Sequence, residues 1–166
     1  MGVTIHYTMI ADDVRVAIAA LKIAREEARR AGYRHSFHET VTHDTALIHD
    51  HVKKGEAVRL AGITIYATTR KVFPLIFWRV GGRYVCEGWS KTQPSISTLE
   101  TELSVAFHKF VCMVLKGLEN LPWQRFEVHD ESGYYDTLDE ERLRRSFREC
   151  EELLWRLLGR GGREKG

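Results

Sequence analysis

The stretch Val72–Ser90, VFPLIFWRVGGRYVCEGWS, decides the fold. Two runs rich in β-branched and aromatic residues meet at Gly81-Gly82, a two-residue hairpin joint. Such a turn fixes the register. Val80 falls opposite Arg83, Arg79 opposite Tyr84, Trp78 opposite Val85, Phe77 opposite Cys86 and Ile76 opposite Glu87. The first run is apolar on both faces, which predicts a central strand. Pro74 then sits near its start, where a missing N–H is tolerated.

Upstream of the hairpin, Leu60–Thr68 and Tyr33–Thr42 read as further strands. Asp44–Gly55 between them is open to two readings. It forms either a short helix capped by Asp44, with Leu47, Ile48, His51 and Val52 inward, or a long polar loop. Gly2–Met9 alternates Val3, Ile5 and Tyr7 with Thr4, His6 and Thr8, the period of a strand. Asp12 is a good N-cap for the helix that follows, with Val14, Ala17, Ile18, Leu21, Ala24 and Ala28 on one face and Gly32 as the stop.

Downstream, Ser97 and Glu100 make a capping box that opens the longest helix. Its apolar stripe runs through Leu99, Leu103, Ala106, Phe107, Phe110, Val111, Val114 and Leu118. Gln124–Asp130 is a strand. Thr137 and Glu140 form a second capping box before a helix lined by Leu143, Phe147, Cys150, Leu154, Leu157 and Leu158 and closed by Gly159. Its outer face offers i,i+4 pairs, Glu140–Arg144, Glu141–Arg145 and Arg148–Glu152. The order β-α-β-β-β-β-α-β-α carries no repeat or linker. It predicts a two-layer α+β domain over residues 1–159, with a mostly antiparallel sheet and helices on one face, and a flexible basic tail over 160–166.

Among 166 residues, 43% are hydrophobic and 29% charged, the mixture of an ordinary globular domain rather than a disordered chain. No apolar run is long enough for a membrane span, and Met1–Ile10 lacks the basic-then-apolar order of a secretory signal, so a cytoplasmic location is expected. The net charge of +2, mixed along the chain, argues against nucleic acid as a partner. One Asn and two Gln stand against 17 Arg and 16 Glu, a composition expected of a heat-adapted source with surface ion pairs. Cys86, Cys112 and Cys150 form no CxxC motif and read as small buried hydrophobes, with one disulfide left open.

Short motifs for nucleotides, zinc proteases and serine hydrolases are missing, and no Ser or Cys has a visible base partner. Three weaker constellations remain. His35, His38, His43, His49 and His51 fall within seventeen residues. If the segment is extended, His35, Glu39 and His43 share a face, and His35, His43, His49 and His51 are the candidate metal ligands, although the spacing fits no zinc motif. Lys91, Thr92 and Gln93 follow one strand, and His129, Asp130 and Glu131 end another. A parallel crossover between the two strands brings both ends to one sheet edge. Gly133, Tyr134, Tyr135 and Asp136 then form a loop able to close over a ligand, although Asp130 and Asp136 also suit plain turn chemistry. The third constellation is His6 with Tyr7 in the first strand. His108 reads as a boundary residue of the long helix.

GVTIHY at the start, G-WSKTQ after the hairpin and DESGYYDTLDEERL near the end resemble the pattern of a prokaryotic family without an assigned activity. The resemblance implies functional weight at His6, Tyr7, Lys91, Thr92, Gln93, Asp130, Glu131, Gly133 and Tyr134, and no mechanism.

These readings lead to a domain that binds a small ligand, anionic or accompanied by a divalent cation, at the strand ends. Lys91, Thr92, Gln93, Asp130, Glu131, Tyr134 and His6 are the candidate ligand-binding residues, and an enzymatic version would use one carboxylate as general base. The alternative is a homodimeric or protein-interaction module using an exposed tryptophan among Trp78, Trp89, Trp123 and Trp155. Nucleic-acid binding by a sheet with exposed aromatics is the third reading.

Overall fold

In the computed structural model, residues 2–93 and 98–163 are described, with side chains described for 2–93 and 100–159. Six strands form one sheet: β1 Val3–Ala11, β2 Arg34–Thr42, β3 Val58–Thr68, β4 Lys71–Val80, β5 Arg83–Thr92 and β6 Arg125–Asp130. Their order across the sheet is β2-β3-β4-β5-β1-β6, and every neighbouring pair is antiparallel. Four helices complete the fold: α1 Val14–Ala31, α2 Thr98–Glu119, α3 Tyr134–Thr137 and α4 Glu140–Arg163. The α+β architecture expected from the sequence is the one observed, with β4 central.

The hairpin closes as its glycines dictate. Gly81 and Gly82 have φ of 54° and 78°, the positive values of a type I′ turn. Val80 lies opposite Arg83, Arg79 opposite Tyr84 and Trp78 opposite Val85. Lys71 opposite Thr92 continues that register at the far end.

Helices α1 and α2 pack on one face of the sheet. The core there is built from Ile5, Tyr7 and Met9 of β1, Ile63 and Ile65 of β3, Phe73, Leu75 and Phe77 of β4, and Phe107, Val111, Leu115 and Leu118 of α2. Tyr7 is fully buried, and its hydroxyl donates to the Pro74 carbonyl. Helix α1 meets the sheet through a seam of small residues, Ala17, Ala20, Ala24 and Ala28. Val14 and Ile18, expected inside, stay about half exposed at its flank. The alanine seam lets the helix lie close and rotates the larger residues outward. Its N-cap is Asp13 rather than Asp12, accepting from the Arg15 N–H at 2.8 Å.

The expected stripe of the long helix is buried at Phe107, Phe110, Val111, Val114 and Leu118, but Leu103 and Ala106 are exposed, whereas Ser104, Val105 and His108 are buried; the Leu99 side chain lies outside those described. Its Ser97 capping box lies outside the described residues. Helix α4 is capped by Asp139, whose carboxylate accepts from the Arg142 N–H, while the Thr137 hydroxyl turns back to Gly133. It continues through Gly159 to Arg163, so the expected tail begins inside the helix. Glu140–Arg144 forms as expected, but Glu141 reaches Arg148 instead of Arg145.

The opposite face of the sheet is partly covered by the excursion 43–57. It holds a single 3-10 turn, Ala46–Ile48, followed by bends. Ile48 is fully buried and packs with Ile10, Val58, Trp78 and Val85 in a second small core. Hydrophobic cover for the sheet, not helical periodicity, sets this segment's path. Among the described residues no helix is long and apolar enough to cross a membrane.

Candidate functional site

Strands β5 and β6 flank β1 and both run antiparallel to it, so they are parallel to each other and end at one edge of the sheet. Lys91 lies opposite Thr4, and Asp130 lies opposite Ile5. Successive side chains of a strand point to opposite faces. The two strand ends are therefore adjacent, but their side chains part. Ile5 and Asp130 belong to the helix-covered face, and Thr4 and Lys91 to the open one.

On the inner face Asp130 is the centre of a buried network. The carboxylate accepts from His108 Nε2 at 3.0 Å on both oxygens, from the Ser132 N–H at 2.9 Å and hydroxyl at 2.8 Å, and from the Tyr135 N–H at 2.9 Å. The Cys112 thiol points at the same carboxylate from 3.6 Å. Burial pushes the Asp130 carboxyl up, but the His108 hydrogen bond and charge, with the bonds from Ser132 and Tyr135, outweigh it and hold the group down at about 2. Burial, with the adjacent Asp130 charge, pushes the Cys112 thiol well above its ordinary value.

Gly133 has φ of 75°, and a Cβ there would come within 2.7 Å of the Arg142 guanidinium, so the turn after Ser132 is made for glycine. It turns the chain into α3, which buries Tyr134 and Tyr135 against α2 and β6. The segment expected as a closing loop is thus a packed plug. Tyr134 meets the His108 ring edge-on, with centroids 6.5 Å apart.

His108, Cys112 and Asp130 form the one group, among the described residues, of three or more His, Cys, Asp or Glu whose donor atoms converge, all within 4.8 Å. Both carboxylate oxygens already accept two or more donors, so this donor set is satisfied as a hydrogen-bonded hub without an ion. His108, expected at the boundary of the long helix, is buried. The signal that would have found it is the line Ser104, His108, Cys112 at four-residue spacing, polar atoms along an otherwise apolar helix.

On the open face, the row Trp89, His6 and His129 crosses β5, β1 and β6. The His6 and His129 rings stack at 6.3 Å, and Trp89 is 48% exposed. Glu131 turns to this side. Its N–H donates to the Thr4 carbonyl at 3.0 Å, its carboxylate accepts from the Thr4 N–H at 3.1 Å, and it lies 3.7 Å from His6 Nε2.

Beside Trp89 is a groove of about 370 Å³ with an apolar floor of Val72, Pro74, Ile76 and Trp78. Arg70, Lys91 and Gln93 stand around it, and Leu47 of the 43–57 excursion leans over it. A second hollow of about 570 Å³, lined by His6, Thr8, Glu127 and His129, shares Leu47, Glu87, Gly88 and Trp89 with the first. The two are one trough with an apolar, cationic end and a polar end bearing imidazoles and carboxylates.

Of the sequence candidates, Lys91 and Gln93 line the trough, His6 lies farther along it, and Glu131 meets His6. Thr92, Asp130 and Tyr134 are buried. The clustered histidines have separate local partners. His38 meets Thr64 at 2.8 Å, His43 the Gly55 carbonyl at 3.1 Å, His49 the Ala46 carbonyl at 3.2 Å, and His51 the Glu87 carboxylate at 3.0 Å. His35 packs edge-on against Phe37. The candidates His35, His43, His49 and His51 are therefore not gathered as a ligand sphere. Cys86, Cys112 and Cys150 are free thiols.

No family model, no curated protein and no solved structure matches the chain. The roles of Lys91, Gln93, His6 and Asp130 therefore rest on geometry and chemistry alone.

Proposed function

We propose that the chain binds a small molecule with a flat apolar body and an anionic group in the trough on the open face of its sheet. The observation that carries this reading is Trp89, a large aromatic left about half exposed in mid-strand beside an apolar floor, with Lys91, Arg70 and Gln93 at its rim. Small-ligand sites combine those features: a mostly apolar concavity and a few polar groups that fix orientation.

In this reading the ligand's ring lies against Trp89 and Pro74. Lys91 supplies the counter-charge and Gln93 a donor or acceptor that sets the angle. Lys91 is one of the residues lining the groove. The His6–His129–Glu131 end provides groups able to exchange protons, so turnover of a bound ligand would draw on His6.

The test is the affinity of 2-naphthoate, an aromatic carboxylate probe, for the wild type, Lys91→Ala and Trp89→Ala. Removing the charge-assisted contact should weaken binding roughly tenfold. Affinities unchanged by both substitutions would reject the reading.

A further inference from the structure

The two edges of the sheet are not alike. Edge strands normally carry a proline, a lysine, a bulge or only a short span, because an open row of backbone groups invites pairing. Strand β6 is six residues long, and its outward row on the open face is Arg125, Glu127 and His129. Strand β2, RHSFHETVT, is nine residues long and holds neither proline nor lysine. It pairs with β3 from Arg34 to Thr42 without a bulge.

On its helix-side face β2 alternates His35, Phe37, Glu39 and Val41. Phe37 is 57% and Val41 55% exposed. Beside them lies a hollow of about 520 Å³ lined by Val41, Ala61, Phe77 and the half-exposed Val14 and Ile18 of α1.

We infer that β2 is the interface of a homodimer, in which β2 pairs antiparallel with β2 of a second copy about a two-fold axis at Phe37. The strand is self-complementary in that register. Phe37 meets Phe37, His35 of each copy lies opposite Glu39 of the other, and Ser36 lies opposite His38. Shifting the axis by one residue to His38 sets Phe37 against Glu39 and His35 against Val41, so an apolar group meets a polar one at every helix-side pair. Cross-strand aromatic pairs, and a hydrogen-bonding partner for Glu39 in His35, favour the first register. The contact is isologous and closes on itself, so it yields a dimer rather than a fibre. The two sheets become one of twelve strands, and the paired Phe37 rings leave solvent together.

Light scattering on the eluted 166-residue chain at about 100 µM tests this, because self-association depends on concentration. The expected mass is twice 19.2 kDa for the wild type and 19.2 kDa for Phe37→Asp, with the circular dichroism unchanged because Phe37 is exposed. The register is read separately in a Cys150→Ser background. Phe37→Cys should form an intermolecular disulfide under mild oxidation, since only residue 37 meets its own copy, and Thr40→Cys should not. A monomeric wild type overturns the inference. So does a dimer in which Phe37→Asp persists as a dimer and Phe37→Cys fails to cross-link.

Discussion

Replacing Asp130 with Asn leaves the volume at the hub nearly unchanged and alters its hydrogen bonding and charge, so its effect can be worked from the contacts. An amide keeps one acceptor and turns the other oxygen into a donor. If the acceptor serves Ser132, the new NH2 faces the Tyr135 N–H. If the amide flips, it faces the Ser132 N–H and hydroxyl instead. Both orientations set donor against donor in a buried site. His108 Nε2, 3.0 Å from both oxygens, keeps one of them as acceptor but loses the carboxylate charge. Shifting its proton to Nδ1 gives no relief, because Nδ1 is buried without a partner. The new NH2 and the donor it faces are thus left unpaired, at about 1–3 kcal/mol each, and Asp130→Asn should cost roughly 4 kcal/mol of stability. Urea unfolding read by tryptophan fluorescence gives that difference, and the melting temperature should fall by about 10 °C or more for a chain of this size. A loss below about 1 kcal/mol would refute the account of Asp130 as a satisfied hub.

Two further predictions follow from the same region. The Asp130 carboxyl is held down at about 2 in the folded protein against an ordinary 3.8, so its contribution is present above about pH 4 and disappears as pH falls toward 2. Urea midpoints measured between about pH 5 and 2 should drop by more in the wild type than in Asp130→Asn, and parallel curves would contradict this. Gly133→Ala should cost about 1–2 kcal/mol from its positive φ, with more where Arg142 must move aside, and should raise the urea sensitivity without changing binding of 2-naphthoate.

How far the sequence carries the fold depends on the element. The hairpin, its register and the strands around it are legible because alternation and a two-glycine turn leave little choice. The buried face of α1 is legible in part: Ala17, Ala24 and Ala28 fall on it as expected, but an alanine seam has little hydrophobic contrast with its neighbours, and Val14 and Ile18 draw the eye to the wrong flank. The 43–57 excursion is opaque for another reason. Leu47, Ile48 and Val52 follow no period because they serve a sheet face far away in sequence.

At the site, the convergence of the β5 and β6 ends can be argued from the α2 crossover. The separation of Lys91 from Asp130 cannot, since it hangs on the pairing of Thr4 with Lys91 and of Ile5 with Asp130, a one-residue difference that a period of two turns into opposite faces. The adjacent acids Asp130 and Glu131 accordingly divide, one into the buried hub and the other toward His6.

The central claim is that the open sheet face around Trp89 receives an anionic aromatic ligand. Its most direct test is a nuclear magnetic resonance titration of the isotope-labelled wild type with 2-naphthoate, with 2-naphthylmethylamine as the cationic control. The account predicts that naphthoate shifts the Trp89 indole N–H and the backbone signals of Lys91 and Gln93, and that the amine leaves them unmoved. Equal response to both probes, or shifts centred on Phe37 and α1 instead of Trp89, would contradict it.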